Sequence, residues 1–159
     1  MMDLGDHDAA EAAALSSSTQ TDPRPHVLLV EDDARLVTPL TEAIREVGLE
    51  PMVVSAIGDD FIPFTRQSAP AAVIVDLLLP TADALRLGRW IGGLCHGPVL
   101  VVVPGSPIPT IPDASTDRLR VVRRPVAPAA LAGLLVQAIQ MRRVHGRPGA
   151  HGDPGKRTA

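Results

Sequence analysis

The chain has 159 residues, the size of one domain able to bury about two-thirds of its surface, and a net charge of −3 divided between an acidic start and a basic end. Its single cysteine, Cys95, excludes an internal disulfide and fits a reducing compartment; the lack of any stretch of about 18 apolar residues or of a basic-then-apolar leader predicts neither a membrane span nor a secretion signal, and so a cytoplasmic protein. The apolar 45% is almost all Ala, Val, Leu and Ile, with Phe61, Phe64 and Trp90 as the only aromatics.

Residues 1–25 carry Asp3, Asp6, Asp8, Glu11 and Asp22 with no sustained apolar period, and read as a disordered arm with a transient helix over the Ala-rich part. "HVLLV" (26–30) is a short β-favouring run. In "DDARLVTPLTEAIREVG", Leu36, Val37, Leu40, Ala43, Ile44 and Val47 make one helical stripe that stops at Gly48, with Pro39 expected to weaken or bend it. "PMVVS" predicts a second strand, and Asp59 to Gln67 a weak helix broken by Pro63. "AVIVD" predicts a third strand, Ala84 to Leu94 a helix, "PVLVVV" (98–103) a fourth strand and "LRVVR" a fifth. "PAALAGLLVQAIQMRR" closes the domain at residue 142 as a helix, with Leu131, Leu134, Leu135 and Ala138 as its core face. From residue 143 the chain is basic and broken by Gly and Pro, and reads as a solvated tail.

Apolar strands separated by helix-length segments imply a parallel sheet covered on both faces, a doubly wound α/β domain whose ligands collect at the carboxyl ends of the strands. Glu31 and Asp32 directly follow the first strand and Asp76 ends the third, inside "AAVIVDLLLP". In a sheet ordered 2-1-3-4-5 those strands are neighbours, so three carboxylates meet on one rim. Such a group repels itself unless a cation holds it. Mg²⁺ suits the set, taking one or two carboxylates, a backbone oxygen and waters. A carboxylate beside it can attack phosphorus and form an aspartyl phosphate. The plain alternative is that Asp32 or Asp33 caps the first helix and Asp76 a turn.

Over residues 26–141 the chain resembles the receiver domain of two-component response regulators. "LLVEDDARL" is similar to that family's first strand with its acidic pair, here Glu31 and Asp32, and "VIVDLLLP" to its phosphoacceptor strand, 44 positions after Asp32. The resemblance implies a flavodoxin-like sheet, Asp76 as phosphoacceptor, Mg²⁺ held by Glu31, Asp32, Asp76 and the backbone carbonyl of Leu78, and Pro80 as the expected loop residue. "RRPV" resembles the family's Lys-Pro signature, but Arg124 stands in the lysine's place, and Arg123 beside it leaves the register open by one residue. An arginine also binds phosphate, though its planar fork is no equivalent of an ammonium.

Other departures concern the relay that reads phosphorylation. The family's Ser or Thr at the end of the fourth strand falls at Val103, with Ser106 three residues further on, and its switching aromatic falls at Val121. The fourth helix would have to occupy "PGSPIPTIPDASTDR", where Pro104, Pro107, Pro109 and Pro112 each cost about 3 kcal/mol in a helix interior. A loop over 104–118 is therefore expected in its place. Ala84 stands where Gly is common.

These features predict an atypical single-domain regulator that works by binding another protein, its phosphorylation switch weakened or lost. The alternatives are a stand-alone receiver still phosphorylated on Asp76 by a histidine kinase, with Arg124 meeting the phosphoryl group, and a small-ligand module marked by an apolar pocket at Val103 and Val121. An aspartyl phosphatase is set aside, because its general acid–base would fall at Leu78, and no catalytic role is expected. The expected partner is a histidine kinase or a downstream effector; no output module follows, so no DNA contact is expected, nor a membrane, and the protein is expected to be a monomer or weak dimer. His7, His26, His96, His145 and His151 share no ligand spacing.

Overall fold

Val27 to Val30, Val73 to Val75 and Val99 to Val103 are apolar without alternation, and each such run becomes a strand buried on both faces. The computed structural model describes residues 23–105 and 118–145. In chain order these form β1 (His26–Glu31), α1 (Ala34–Glu46), β2 (Glu50–Val54), α2 (Phe61–Ser68), β3 (Ala72–Asp76), α3 (Thr81–Leu94), β4 (Val99–Val103), β5 (Leu119–Arg123) and α4 (Pro128–His145). The strands pair in parallel in the order β2-β1-β3-β4-β5, as expected. Glu31 lies in register with Asp76, and Val103 with Arg123.

Strand residues divide alternately between two cores. One joins Leu28, Val30, Val73, Val75, Val101 and Val103 to Phe61 of α2 and to Leu85 and Ile91 of α3. The other joins Val27, Leu29, Ile74 and Leu100 to Leu40 and Ile44 of α1 and to Leu131, Leu135 and Ala138 of α4. The predicted core face of the last helix is therefore core. Phe61 stacks on Trp90, ring centres 5.6 Å apart, and so joins α2 to α3. Among the described residues no helix is long and apolar enough to cross a membrane.

Several expectations need correction. Helix α2 is not broken by Pro63 but runs from Phe61 to Ser68, because a proline in the first turn lacks only an N–H that has no partner within the helix. Helix α3 starts at Thr81, not Ala84. The Pro80 carbonyl accepts from the N–H groups of Asp83 and Ala84 at 2.9 and 3.0 Å and opens the helix a turn earlier. Helix α4 continues past 142, so Arg143 and His145, read as tail, are helical. No breaker precedes Gly146, and arginines in a last turn suit the negative helix end. The arms at 1–22 and 146–159 and most of the proline-rich segment (Ser106, Pro107, Pro109 and Pro112 among them) lie outside the described residues. Pro104 follows β4 directly and is exposed.

Helix α3 rests close on β4 and β5 because residue 88 has no side chain. A Cβ there would stand 2.3 Å from Val101 Cγ2 and 2.9 Å from Leu119 Cδ1. Gly88→Ala gains about 1 kcal/mol in helix propensity, but overpacking a stiff valine costs about 1–3 kcal/mol, so the net expectation is a loss of about 1 kcal/mol in urea unfolding. Gly93→Ala, with nothing within 4 Å of its Cβ, is expected to stabilise by about 0.5 kcal/mol in the same assay.

Candidate functional site

Because β1 and β3 are adjacent and in register, their last residues sit side by side at the carboxyl rim of the sheet. Glu31 is 1% and Asp76 5% exposed, an unusual depth for two carboxyl groups. A buried pair of acids is tolerable only if charge is compensated or one of them holds its proton more readily than usual. Both occur here.

The compensating charge is Arg124, the residue after β5, whose Nη2 donates to Asp76 Oδ1 in a tight ion pair. This settles the register left open in the sequence: Arg124 turns inward, while Arg123 is exposed. The backbone fixes Arg124 from two directions. Its N–H donates to the Val103 carbonyl at 2.9 Å, and its own carbonyl lies so close to Gly105 that a Cβ on that glycine would stand 2.2 Å away. The peptide from Arg124 to Pro125 is cis.

Glu31 is held by the backbone. Its Oε1 accepts from the N–H of Asp33 at 2.8 Å, while the buried Oε2 receives no hydrogen bond. Burial pushes the Glu31 carboxyl up to about 7, the hydrogen bond from Asp33 opposes this, and the negative charge of Asp76 adds to the rise. Asp76 is also raised by burial, against the opposing pull of Arg124 and of the hydrogen bond from Glu31. Burial thus raises both acids, and Arg124 holds Asp76 from the other side.

The third acid behaves otherwise. Asp32 is exposed and acts on Asp76 only through its charge. Asp33, not Asp32, caps α1: its Oδ1 accepts from Arg35 N at 3.0 Å, and the Arg35 guanidinium returns to both carboxylate oxygens. Among the described residues no three His, Cys, Asp or Glu side chains are grouped to hold a metal ion. The residues predicted to hold Mg²⁺ thus do not form its shell as arranged. Arg124 takes an oxygen of Asp76, burial raises the Glu31 carboxyl to about 7, Asp32 is exposed, and the bare Glu31 Oε2 is of the kind a cation would satisfy. Leu78, whose carbonyl was the fourth predicted ligand, lies in the loop after β3 with its side chain 70% exposed.

The predicted switch positions are apolar and closed. Val103 is fully buried in the core with Val75 and Val101, and Val121 packs against the same cluster. Neither lines the cleft that does open beside Asp76. That cleft, about 230 Å³, runs between α1 and α4, with Leu36, Leu40, Val126 and Leu131 as walls and Asp76 and Arg124 at one end. Sequence reasoning placed these leucines in a core stripe and missed the cleft, since only tertiary packing decides which part of a stripe is left uncovered.

No protein-family model matches the chain. A stretch of 78 residues, 49% of the chain, is 35% identical to the transcriptional regulatory protein BaeR of Escherichia coli O6:H1, of which the chain spans about a third (32%). Among solved structures, the signal receiver domain of a putative LuxO repressor protein from Vibrio parahaemolyticus superposes with a TM-score of 0.58 at 20% identity, over 81% of this chain and all of that one. A response regulator receiver domain from Clostridium thermocellum gives 0.59 at 18% identity, over 76% and 98%. The receiver domain of a histidine kinase from Syntrophus aciditrophicus gives 0.56 at 21%, over 82% and 98%.

Proposed function

We propose that this chain, a receiver domain by its fold, serves two-component signalling as a protein-binding module whose phosphorylation switch is weak or lost. The observation that carries this reading is the ion pair between Arg124 and Asp76. One of the two oxygens that could attack phosphorus already has a guanidinium on it, and its neighbour Glu31, raised by burial to about 7, holds its proton more readily than a metal-binding carboxylate does. A ligand shifts a two-state equilibrium only by binding the two states differently. With Val103 sealed in the core and no aromatic at Val121, a phosphoryl group on Asp76 has no hydroxyl at residue 103 to draw in and no ring at residue 121 to move. The domain then presents one surface to its partner, a histidine kinase or a downstream effector, without catalysis of its own and without contact to DNA or membrane. Mg²⁺ binds weakly or not at all.

A second reading keeps Asp76 as acceptor. It is favoured by the cleft beside Asp76, which has room for a phosphoryl group, and by Arg124 at its end, able to grip phosphate oxygens in a bidentate fork. The two separate in one experiment: intact mass of the full chain after incubation with acetyl phosphate and Mg²⁺, with Asp76→Asn as control. The first reading expects no adduct under conditions that modify an ordinary receiver. A gain of one phosphoryl group, confined to the chain with Asp76, would establish the second.

A further inference from the structure

The last two described elements carry charge of one sign. From Arg118 through His145 the chain has six arginines and no Asp or Glu, and only Arg124 of these is committed to Asp76. Arg120 lies on the α4 side of β5, where its Nη2 meets Met141 Sδ at 2.9 Å. This contact gathers Arg118, Arg120, Arg142 and Arg143 at the end of the sheet where the strands begin. Arg118 and Arg142 both lie close enough to the Cys95 thiol to act on it by charge. Arg118 and Arg143 are exposed, and Arg142 Nη1 is shielded from solvent with no acceptor. A guanidinium nitrogen out of water and unpaired is unfavourable, so this end of the molecule asks for an anion.

The opposite charge is carried by the same chain. Residues 1–22, outside the described residues, hold Asp3, Asp6, Asp8, Glu11 and Asp22 and neither Lys nor Arg. They join the domain at Pro23, just ahead of β1, at the same end of the sheet. Strand β5 is three strand spacings from β1, about 15 Å, and a segment of this length extends several times as far. Tethering raises its local concentration to the order of millimolar.

We infer that residues 1–22 dock through their carboxylates on the face formed by Arg118, Arg120, Arg142 and Arg143, and cover it against other polyanions. Nucleic acid is the less suited occupant. Single strands need aromatic platforms, and Phe61, Phe64 and Trp90 all lie on α2 and α3.

The test compares the full chain with a variant carrying Asp3→Asn, Asp6→Asn, Asp8→Asn, Glu11→Gln and Asp22→Asn, by backbone amide NMR at about 20 mM and about 500 mM salt, which screens such contacts. At low salt the amides of 118–120 and 141–144 are expected to differ between the two chains, and the difference to vanish at high salt or when Arg118→Gln and Arg142→Gln are added to both. A short DNA duplex should bind the neutralised chain at least about ten-fold more tightly than the unaltered one, because its own segment no longer competes. Matching low-salt spectra at those amides, or equal affinity for the duplex, would overturn the docking and leave the face open to outside polyanions.

Discussion

Arg124→Gln is expected to lower the unfolding free energy by about 2–4 kcal/mol near neutral pH, the range for removing one partner of a buried ion pair. The two partners are not buried alike: the Asp76 side chain is 7% and that of Arg124 26% exposed. Loss of the arginine strands a carboxylate that is nearly buried. Loss of the aspartate leaves a guanidinium that can rehydrate, so Asp76→Asn should cost only about 1 kcal/mol. The double variant is expected to recover most of the difference, and Arg124→Lys to fall between, since a point charge replaces the fork. Urea unfolding of the four chains measures this, and equal costs for the two single variants would contradict the asymmetry. Removing Arg124 also frees Asp76 for a cation. Mg²⁺ at millimolar concentration should then raise the melting temperature of Arg124→Gln and leave the parent chain unmoved.

The fold was legible because its signals are local and repeated. The central strands β1, β3 and β4 are largely apolar runs of five or six residues, most helices a stripe with a recognisable start or stop, and their alternation admits few topologies. The α1 stop at Gly48 is an instance, a glycine with φ of +81° where other residues would be strained. Errors came where a terminus depends on one backbone bond. The carbonyl of Pro80 opened α3 early, and the absence of a breaker carried α4 on to His145.

The site was legible in position but not in state. That Glu31 and Asp76 lie together follows from strand order and register. That burial raises both, with Arg124 in place of a metal's charge, does not, because it depends on reach across two strands and on depth of burial. The one hint in the sequence was the arginine itself, whose longer fork can meet a carboxylate directly where a flexible lysine would leave it to a cation. Asp32 shows the converse. It follows Glu31 in sequence, yet the chain turns at the end of β1 to begin α1, and the cap at Asp33 takes the next acid away from the rim. Adjacent letters parted where the strand ended.

That pairing sets the pH dependence of the whole domain. Glu31 ionises at about 4.5 in an unfolded chain and at about 7 in the fold, where burial is the main cause. Below the lower value it is protonated in both states, and its contribution to stability is fully present. As pH rises the unfolded chain gives up its proton while the folded one holds it, so stability falls by about 1.4 kcal/mol per unit until the folded carboxyl also ionises. The loss is complete a little above pH 7 and amounts to about 3 kcal/mol. Asp76, raised by burial as well, acts in the same direction. Asp33, lowered by Arg35, acts in the opposite direction, but only below its ordinary range near 4, outside this window. The domain should therefore be more stable at about pH 5.5 than at about pH 8, the reverse of a protein held by ordinary ionised carboxylates. Glu31→Gln keeps an oxygen for the N–H of Asp33 and offers an amide to Asp76 without any proton to lose. It is expected to flatten the profile and to raise stability at pH 8 by about 2 kcal/mol. Thermal melts of both chains across this range decide the matter: a parent profile that rises with pH, or one that Glu31→Gln leaves sloped, would mean that the buried proton is not on Glu31.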